Sequence, residues 1–166
     1  MSLIDPRALQ RLIAAVQKEL EKLRELVAEQ GTLSVDTTHP RVVGSILHDF
    51  YTGVERIFQK VATELEGDVP KSAAWHKDLL DDMALEIHEV RPAVITDALR
   101  EELDEYLRFR HLFRGSYGFD LEPERMRSLF DQLETVFGEF EHEVGIFLQT
   151  LSELAKGMES DSHSEE

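Results

Sequence analysis

Between Pro123 and about Lys156, apolar side chains recur every three or four residues, which is the spacing of one side of an α-helix. The stripe consists of Met126, Leu129, Phe130, Leu133, Val136, Phe137, Phe140, Val144, Phe147, Leu148, Leu151 and Leu154. So wide and so aromatic a stripe is not covered by one neighbouring helix. The segment therefore needs more than one packing partner from the rest of the chain.

Four earlier segments show the same periodicity and supply those partners. They are Asp5 to Gln30, Pro40 to Leu65, Ser72 to Ile87, and a fourth that begins at Thr96 and ends near Gly115 or Gly118. No segment shows the period-two alternation of a strand. The predicted fold is an all-α, antiparallel bundle of four or five helices.

The length of 166 residues suits a single domain, predicted over residues 1–156. The polar and acidic residues 157–166 are predicted to be a disordered tail. No stretch approaches the roughly 20 apolar residues of a membrane span, and Met1 to Gln10 lack the apolar core of a signal peptide. A cytoplasmic protein that does not enter the membrane is therefore expected.

The composition excludes several kinds of chemistry. The absence of cysteine excludes disulfide frameworks, thiolate metal sites and cysteine nucleophiles. The seven histidines are scattered without a His-x-x-x-His pair, and no glycine-rich phosphate loop is present, so neither a metal nor a cofactor is expected. A net charge of −16 argues against broad nucleic-acid binding, which leaves RNA only a local basic groove.

One such local excess of positive charge lies in residues 106–118, here called the basic island. It contains Arg108, Arg110, His111, Arg114 and Tyr117, and no acid occurs between Tyr106 and Phe119. Cations of this kind attract phosphate or a carboxylate-rich partner. In phosphodiester chemistry without a metal, arginine stabilises the charge on a pentavalent phosphorus, and histidine shuttles protons for attack by a ribose 2′-hydroxyl.

Arg110 and Arg114 fall on an otherwise apolar helical stripe, so both need a compensating negative group. The structural-bridge interpretation pairs them with buried acids such as Glu55. The functional interpretation gives them a ligand phosphate or a partner surface.

Two other places in the chain carry polar groups that bear on this choice. In the second helix, His48, Tyr51 and Glu55 lie in one helical row. They form either a satisfied polar patch in the core, which is the favoured interpretation, or a set of groups that face the basic island. In the third helix, Trp75 is expected to anchor the core, and the lone His76 beside it lies either at the surface or in a site.

Three separated blocks carry a family resemblance. They are residues 48–58 (HDFYTGVERIF), 75–80 (WHKDLL) and 108–118 (RFRHLFRGSYG). Together they resemble the HepT-like branch of the HEPN superfamily. The resemblance implies a homodimeric helical bundle that acts as a ribonuclease toxin, paired with a minimal nucleotidyltransferase antitoxin that can adenylylate a tyrosine of the motif.

The family motif is Arg, four residues, His, one residue, Tyr. Aligned on Arg110 and Tyr117, its histidine position holds Gly115, and the nearest histidine is His111. The resemblance thus implies Arg110 as the phosphate-binding arginine and Tyr117 as the candidate adenylylation site. The first hypothesis below takes Arg110 with His111, which lies off the motif, as the catalytic pair, and Arg108 and Arg114 as phosphate or RNA ligands.

Three hypotheses follow for function. The first is a HepT-like toxin component that cleaves RNA without a metal. The second is a non-catalytic HEPN bundle that binds a nucleotidyltransferase or a nucleotide through the same island. The third is a purely structural bundle. The first two predict that Arg110, His111 and Tyr117 open onto a shared cleft at a dimer interface, whereas the third predicts Arg110 and Arg114 paired and closed off.

Overall fold

The computed structural model describes residues 4–115 and 122–164, and these residues form five α-helices. The helices are α1 (Pro6–Gln30), α2 (Pro40–Glu66), α3 (Trp75–Met83), α4 (Asp97–Gly115) and α5 (Pro123–Ser162). Within the described ranges the chain contains no strand, only an isolated bridge between Ile87 and Arg91. The predicted all-α bundle is confirmed.

The second helix lies at the centre of the bundle and contacts each of the other four. Its large side chains Phe50, Tyr51 and Phe58 are fully buried. Phe50 meets Tyr106 of α4 edge to face at 5.2 Å, and Phe58 meets Phe140 of α5 in the same way at 5.9 Å. Because aromatic pairs of this geometry add to the energy of apolar burial, α2 holds α4 and α5 in place.

Two helices differ in length from the sequence prediction. α3 stops at Met83 rather than Ile87, because the buried Arg91 turns back beneath its end and donates to the main-chain oxygens of Asp82 and Leu85, at 2.9 and 2.8 Å. α5 continues to Ser162, beyond the end predicted near Lys156. Residues 157–162 are therefore helical where the sequence predicted a disordered tail, and Gln10 of α1 donates to Glu159 in this extension at 3.1 Å.

No helix in the described ranges combines the length and the apolar character that crossing a bilayer requires.

Candidate functional site

A buried ion pair joins α4 to α2 in the interior of the bundle. The Arg110 guanidinium donates twice to the Glu55 carboxylate, from Nη1 to Oε1 at 3.2 Å and from Nη2 to Oε2 at 2.8 Å. The two residues are only 4 and 6% exposed. Parallel bonds of this kind are the strongest geometry open to arginine and carboxylate, and they match the structural-bridge interpretation of Arg110.

His76 of α3 completes this cluster. Its Nδ1 lies 2.7 Å from Glu55 Oε2, the same oxygen that accepts from Arg110 Nη2. Arg110 Nη2 lies 3.1 Å from the same Nδ1. Because the contact with Glu55 is shorter and an ionised carboxylate can only accept, we assign the proton to Nδ1, which donates it to the carboxylate. In the neutral ring the remaining nitrogen, Nε2, is then the acceptor. The side chain is 34% exposed, and Trp75 stacks on it with the ring centres 3.7 Å apart.

Tyr51 lies against the same ion pair. The Arg110 guanidinium carbon sits 4.9 Å from the centre of the Tyr51 ring, within range of a cation–π interaction. The Tyr51 hydroxyl is buried and has no hydrogen-bond partner among the described residues. Burial, reinforced by the Glu55 charge, raises the pKa of this phenol far above its usual range, so the hydroxyl stays neutral.

Above the cluster lies a pocket of about 540 Å³, here called the basic pocket. The ionisable side chains that line it are His76, Lys77, Asp104, Arg108, Arg110, His111, Arg114 and Arg125. Asp104, the one acid among them, is shared by Arg108 Nη2 at 2.9 Å and Lys77 Nζ at 3.3 Å. Lys77 also contacts Asp81, Arg110 contacts Glu55 and Arg125 contacts Glu105, so part of this positive charge is compensated. Because the cations still outnumber the acids among the lining residues, the wall of the pocket favours an anion.

The basic pocket gathers most of the predicted site residues. Arg108, Arg110, His111 and Arg114 all line it. Arg114 and His111 are exposed there, so the structural-bridge interpretation fits Arg110 and not Arg114. The predicted adenylylation site, Tyr117, lies outside the described residues. Whether the pocket meets a second copy of the chain stays a prediction.

The polar row of α2, His48, Tyr51 and Glu55, does not lie in one environment. Glu55 and Tyr51 face the basic island through Arg110, as the second of the two interpretations of this row predicts. His48 does not line the basic pocket. Its Nδ1 lies 3.1 Å from Asp49 Oδ1, and its ring packs against Phe113 with centres 5.8 Å apart. The row is therefore not one satisfied polar patch.

Sequence reasoning did not place His76, Lys77 or Arg125 at this site. A usable sequence signal existed for His76, because the apolar Leu80 and Met83 lie one and two helical turns further on, and the structure buries both fully. A histidine on that row points towards neighbouring helices rather than outward. Lys77 and Arg125 offered no such signal, since their place at the pocket depends on how three helices pack. Among the described residues, no group of three or more histidine, aspartate or glutamate side chains is arranged to hold a metal ion.

Comparison with known families places the site in context. No curated protein and no solved structure gives a match. A family model described as "HepT-like protein" matches residues 42–151, which is more than half of the chain. Every residue that lines the basic pocket falls within this match, and the chain therefore belongs to the HepT-like protein family of the HEPN superfamily.

Proposed function

We propose that this protein is the toxin component of a HepT-like pair and acts as a metal-independent endoribonuclease at the basic pocket. The observation that carries the proposal is the concentration of positive charge there in a chain whose net charge is −16. A net negative chain repels a polyanion in general, so an RNA phosphate is expected to bind where cations are concentrated. A second groove between α1 and α2 carries Arg11, Lys22, Arg56 and Lys60 beside Glu19 and Glu64, but it lacks the histidines of the basic pocket.

The phosphate ligands in this proposal are the exposed arginines of α4. Arg108 keeps 62% of its side chain exposed although it also contacts Asp104. Arg114 lies one turn beyond Arg110 and is exposed at the same pocket. Guanidinium groups bind two phosphate oxygens at once and stabilise the charge that develops on a pentavalent phosphorus. No step of this chemistry requires a metal.

Of the predicted catalytic pair, Arg110 and His111, the proposal keeps His111 as the catalytic residue and gives Arg110 a positioning role. His111 is exposed at the pocket and is the group that exchanges protons with the reacting oxygens. Arg110 is paired with Glu55, so it acts from the pocket floor by fixing the groups around it rather than as a mobile phosphate ligand.

The proposed partners follow from the family. A second copy of the chain would bring another basic island to a shared cleft, and a minimal nucleotidyltransferase would act as antitoxin by adenylylating Tyr117. Tyr117 lies two positions after Gly115, the last residue of α4. An adenylate on Tyr117 would add a phosphate within the sequence of the basic island, and that negative charge would oppose the binding of RNA.

The test is cleavage of single-stranded RNA by the purified protein in EDTA. We expect cleavage by the wild type, strong loss in His111→Ala, and weaker RNA binding in Arg114→Gln. The matched control is Arg7→Gln, which removes the same charge from an exposed position on α1 that lines neither the basic pocket nor the groove between α1 and α2. Absence of cleavage by the wild type, or equal cleavage by all four proteins, overturns the proposal.

A second candidate function is non-catalytic binding of a nucleotidyltransferase or a nucleotide. Two observations favour it: Gly115 stands at the motif histidine position, and Arg110 is closed off by Glu55. It predicts that the protein cleaves no RNA yet still binds a short oligonucleotide or the partner, and that Arg114→Gln weakens this binding.

A further inference from the structure

We propose that His76 is the general base of this site, held in its working tautomer by Glu55 and, through Glu55, by Arg110. The inference rests on the proposed ribonuclease function and extends it, because the residue lies on a different helix from the family motif. The histidine position of that motif holds Gly115 in this chain, so the motif supplies no second histidine beside His111.

The geometry that supports this role is a chain of three side chains from three helices. Arg110 of α4 holds both oxygens of Glu55 from α2, and Glu55 Oε2 accepts from His76 Nδ1 of α3 at 2.7 Å. The first two side chains are 5 and 8% exposed, whereas His76 is 34% exposed and lines the basic pocket. The network thus connects a buried ion pair, Arg110 and Glu55, to a histidine that is accessible from the basic pocket.

A carboxylate on one ring nitrogen defines what the other nitrogen can do. With Nδ1 protonated and bound to Glu55, the neutral imidazole has its lone pair on Nε2. The adjacent carboxylate also stabilises the imidazolium that forms when Nε2 takes a proton, which is the part that the acid plays in a catalytic triad. Arg110 holds Glu55 with two hydrogen bonds, so the His76 ring is oriented before any substrate binds.

The proposed step balances in protons and bonds. His76 Nε2 removes the proton of a ribose 2′-hydroxyl, and the 2′-oxygen forms a bond to the adjacent phosphorus. The bond from phosphorus to the 5′-oxygen breaks, and that oxygen takes a proton from the His111 imidazolium. The products are a 2′,3′-cyclic phosphate and a 5′-hydroxyl, and the two histidines return to their starting states by exchange with water.

The rate of the proposed cleavage depends on pH, because one histidine must be neutral and the other protonated. Besides Glu55 and Arg110, the charged groups at the pocket are Asp104, Arg108, His111 and Arg114 of α4, Lys77 of α3 and Arg125 of α5. The Glu55 carboxylate contacts the His76 ring directly, and the cations surround the pocket that the ring lines. The base must be neutral and the acid protonated, so the rate should pass through a maximum with pH.

The test is the pH–rate profile of RNA cleavage by wild type and His76→Asn. Asparagine keeps a donor for Glu55 in place of Nδ1–H but has no equivalent of Nε2, so the fold is retained while the base is lost. We expect the cleavage rate to fall by about 10²- to 10⁴-fold and the acidic limb of the profile to disappear. His142→Asn, at an exposed position of α5 outside the pocket, is the control and should match the wild type.

The outcomes separate this inference from the function on which it rests. If the wild type cleaves and His76→Asn matches it in rate and in its acidic limb, the assignment of His76 fails while the ribonuclease proposal stands. If the wild type cleaves nothing, both fail. Nitrogen-15 NMR of the wild-type protein supplies a readout other than activity: Nδ1 of His76 should be protonated and Nε2 not, and the opposite tautomer overturns the proposal.

Discussion

At the scale of single residues, Arg110 has both a structural and a functional role. Its guanidinium is enclosed by Glu55, by the Tyr51 ring at 4.9 Å and by the edge of His76 at 3.1 Å. Removing one member of a buried pair leaves the other charge without compensation in a poorly solvated place. The consequences for folding and for activity therefore have to be separated experimentally.

We predict that Arg110→Ala lowers the free energy of unfolding by about 3 kcal/mol, because Glu55 stays buried without its partner. Arg24→Ala, which removes one member of an exposed pair with Glu141, should lower it by less than about 1 kcal/mol. Urea unfolding followed by circular dichroism measures both values. Similar losses for the two variants would contradict the view that the buried pair is the sensitive contact.

The partner of Arg110 was within reach of sequence reasoning, and the role of His76 was not. An arginine on an apolar stripe requires a carboxylate, and Glu55 lies on the inward side of the most apolar helix in the first half of the chain. His76 is 34 residues from Arg110 along the chain, and its contact with Glu55 follows from the position of the short α3 against α2 and α4. Periodicity within one helix carries no information on that position.

At the scale of helices, close packing of α1 on α2 depends on Gly53. A methyl group at that position would overlap Leu23 of α1, a residue that is 3% exposed. We predict that Gly53→Ala lowers the free energy of unfolding by about 1 kcal/mol, because the strain of overpacking exceeds the gain in helix propensity.

Gly138 is the matched control for Gly53. It lies on the exposed side of α5, with nothing within 4 Å of an added methyl group. Gly138→Ala should therefore raise the free energy of unfolding by about 1 kcal/mol through helix propensity alone. Thermal unfolding of both variants gives the comparison. Stabilisation by both substitutions would show that α1 moves away from α2 without loss.

A second helix-scale prediction concerns the carboxylates that α4 and α5 place together. Burial, hydrogen bonding with Glu139 and the charge of Glu143 raise the pKa of Glu102. The native state thus binds this proton at higher pH than the unfolded state, so stability is greatest below the unfolded pKa and falls as pH rises through the raised pKa. Glu102→Gln should remove that fall.

The expected gain for Glu102→Gln near neutral pH is about 0.5 kcal/mol, since solvent screens a side chain that is only partly buried. Glu134→Gln, at an exposed position of α5, corrects for the general benefit of removing one acid from an acidic chain. Urea unfolding at several pH values compares the two. An advantage of Glu102→Gln that stays constant down to strongly acidic pH would contradict the assignment.

The ends of these helices show where tertiary contacts override local sequence. α3 ends early because Arg91, which follows it in the chain, takes up the main-chain oxygens at its end. α5 continues past Gly157 because a glycine inside a helix only weakens it, and no proline or left-handed residue stops the chain there. The existence and type of all five helices could be predicted from periodicity, whereas these two ends depended on contacts that periodicity does not report.

At the scale of the whole molecule, the basic pocket is a small cationic region on an acidic protein. The net charge of −16 means that RNA beyond the pocket meets repulsion rather than further binding surface. Lengthening a bound oligonucleotide should therefore add little affinity once the pocket is filled. This behaviour is opposite to that of a generally basic RNA-binding protein, in which each added nucleotide finds another cation.

We predict a shallow salt dependence for oligonucleotide binding, with a slope of about −2 for the logarithm of the binding constant against the logarithm of salt concentration. That value corresponds to about three phosphate contacts at about 0.7 per contact in a single strand. Fluorescence anisotropy with a single-stranded DNA oligonucleotide measures it, because a strand without 2′-hydroxyl groups binds but is not cleaved. Arg114→Gln should make the slope shallower by about 0.7, and Arg7→Gln, at an exposed position that lines neither pocket, should leave it unchanged. A steep slope that keeps rising with oligonucleotide length would mean that RNA follows an extended surface, and the basic pocket would then not be its principal binding site.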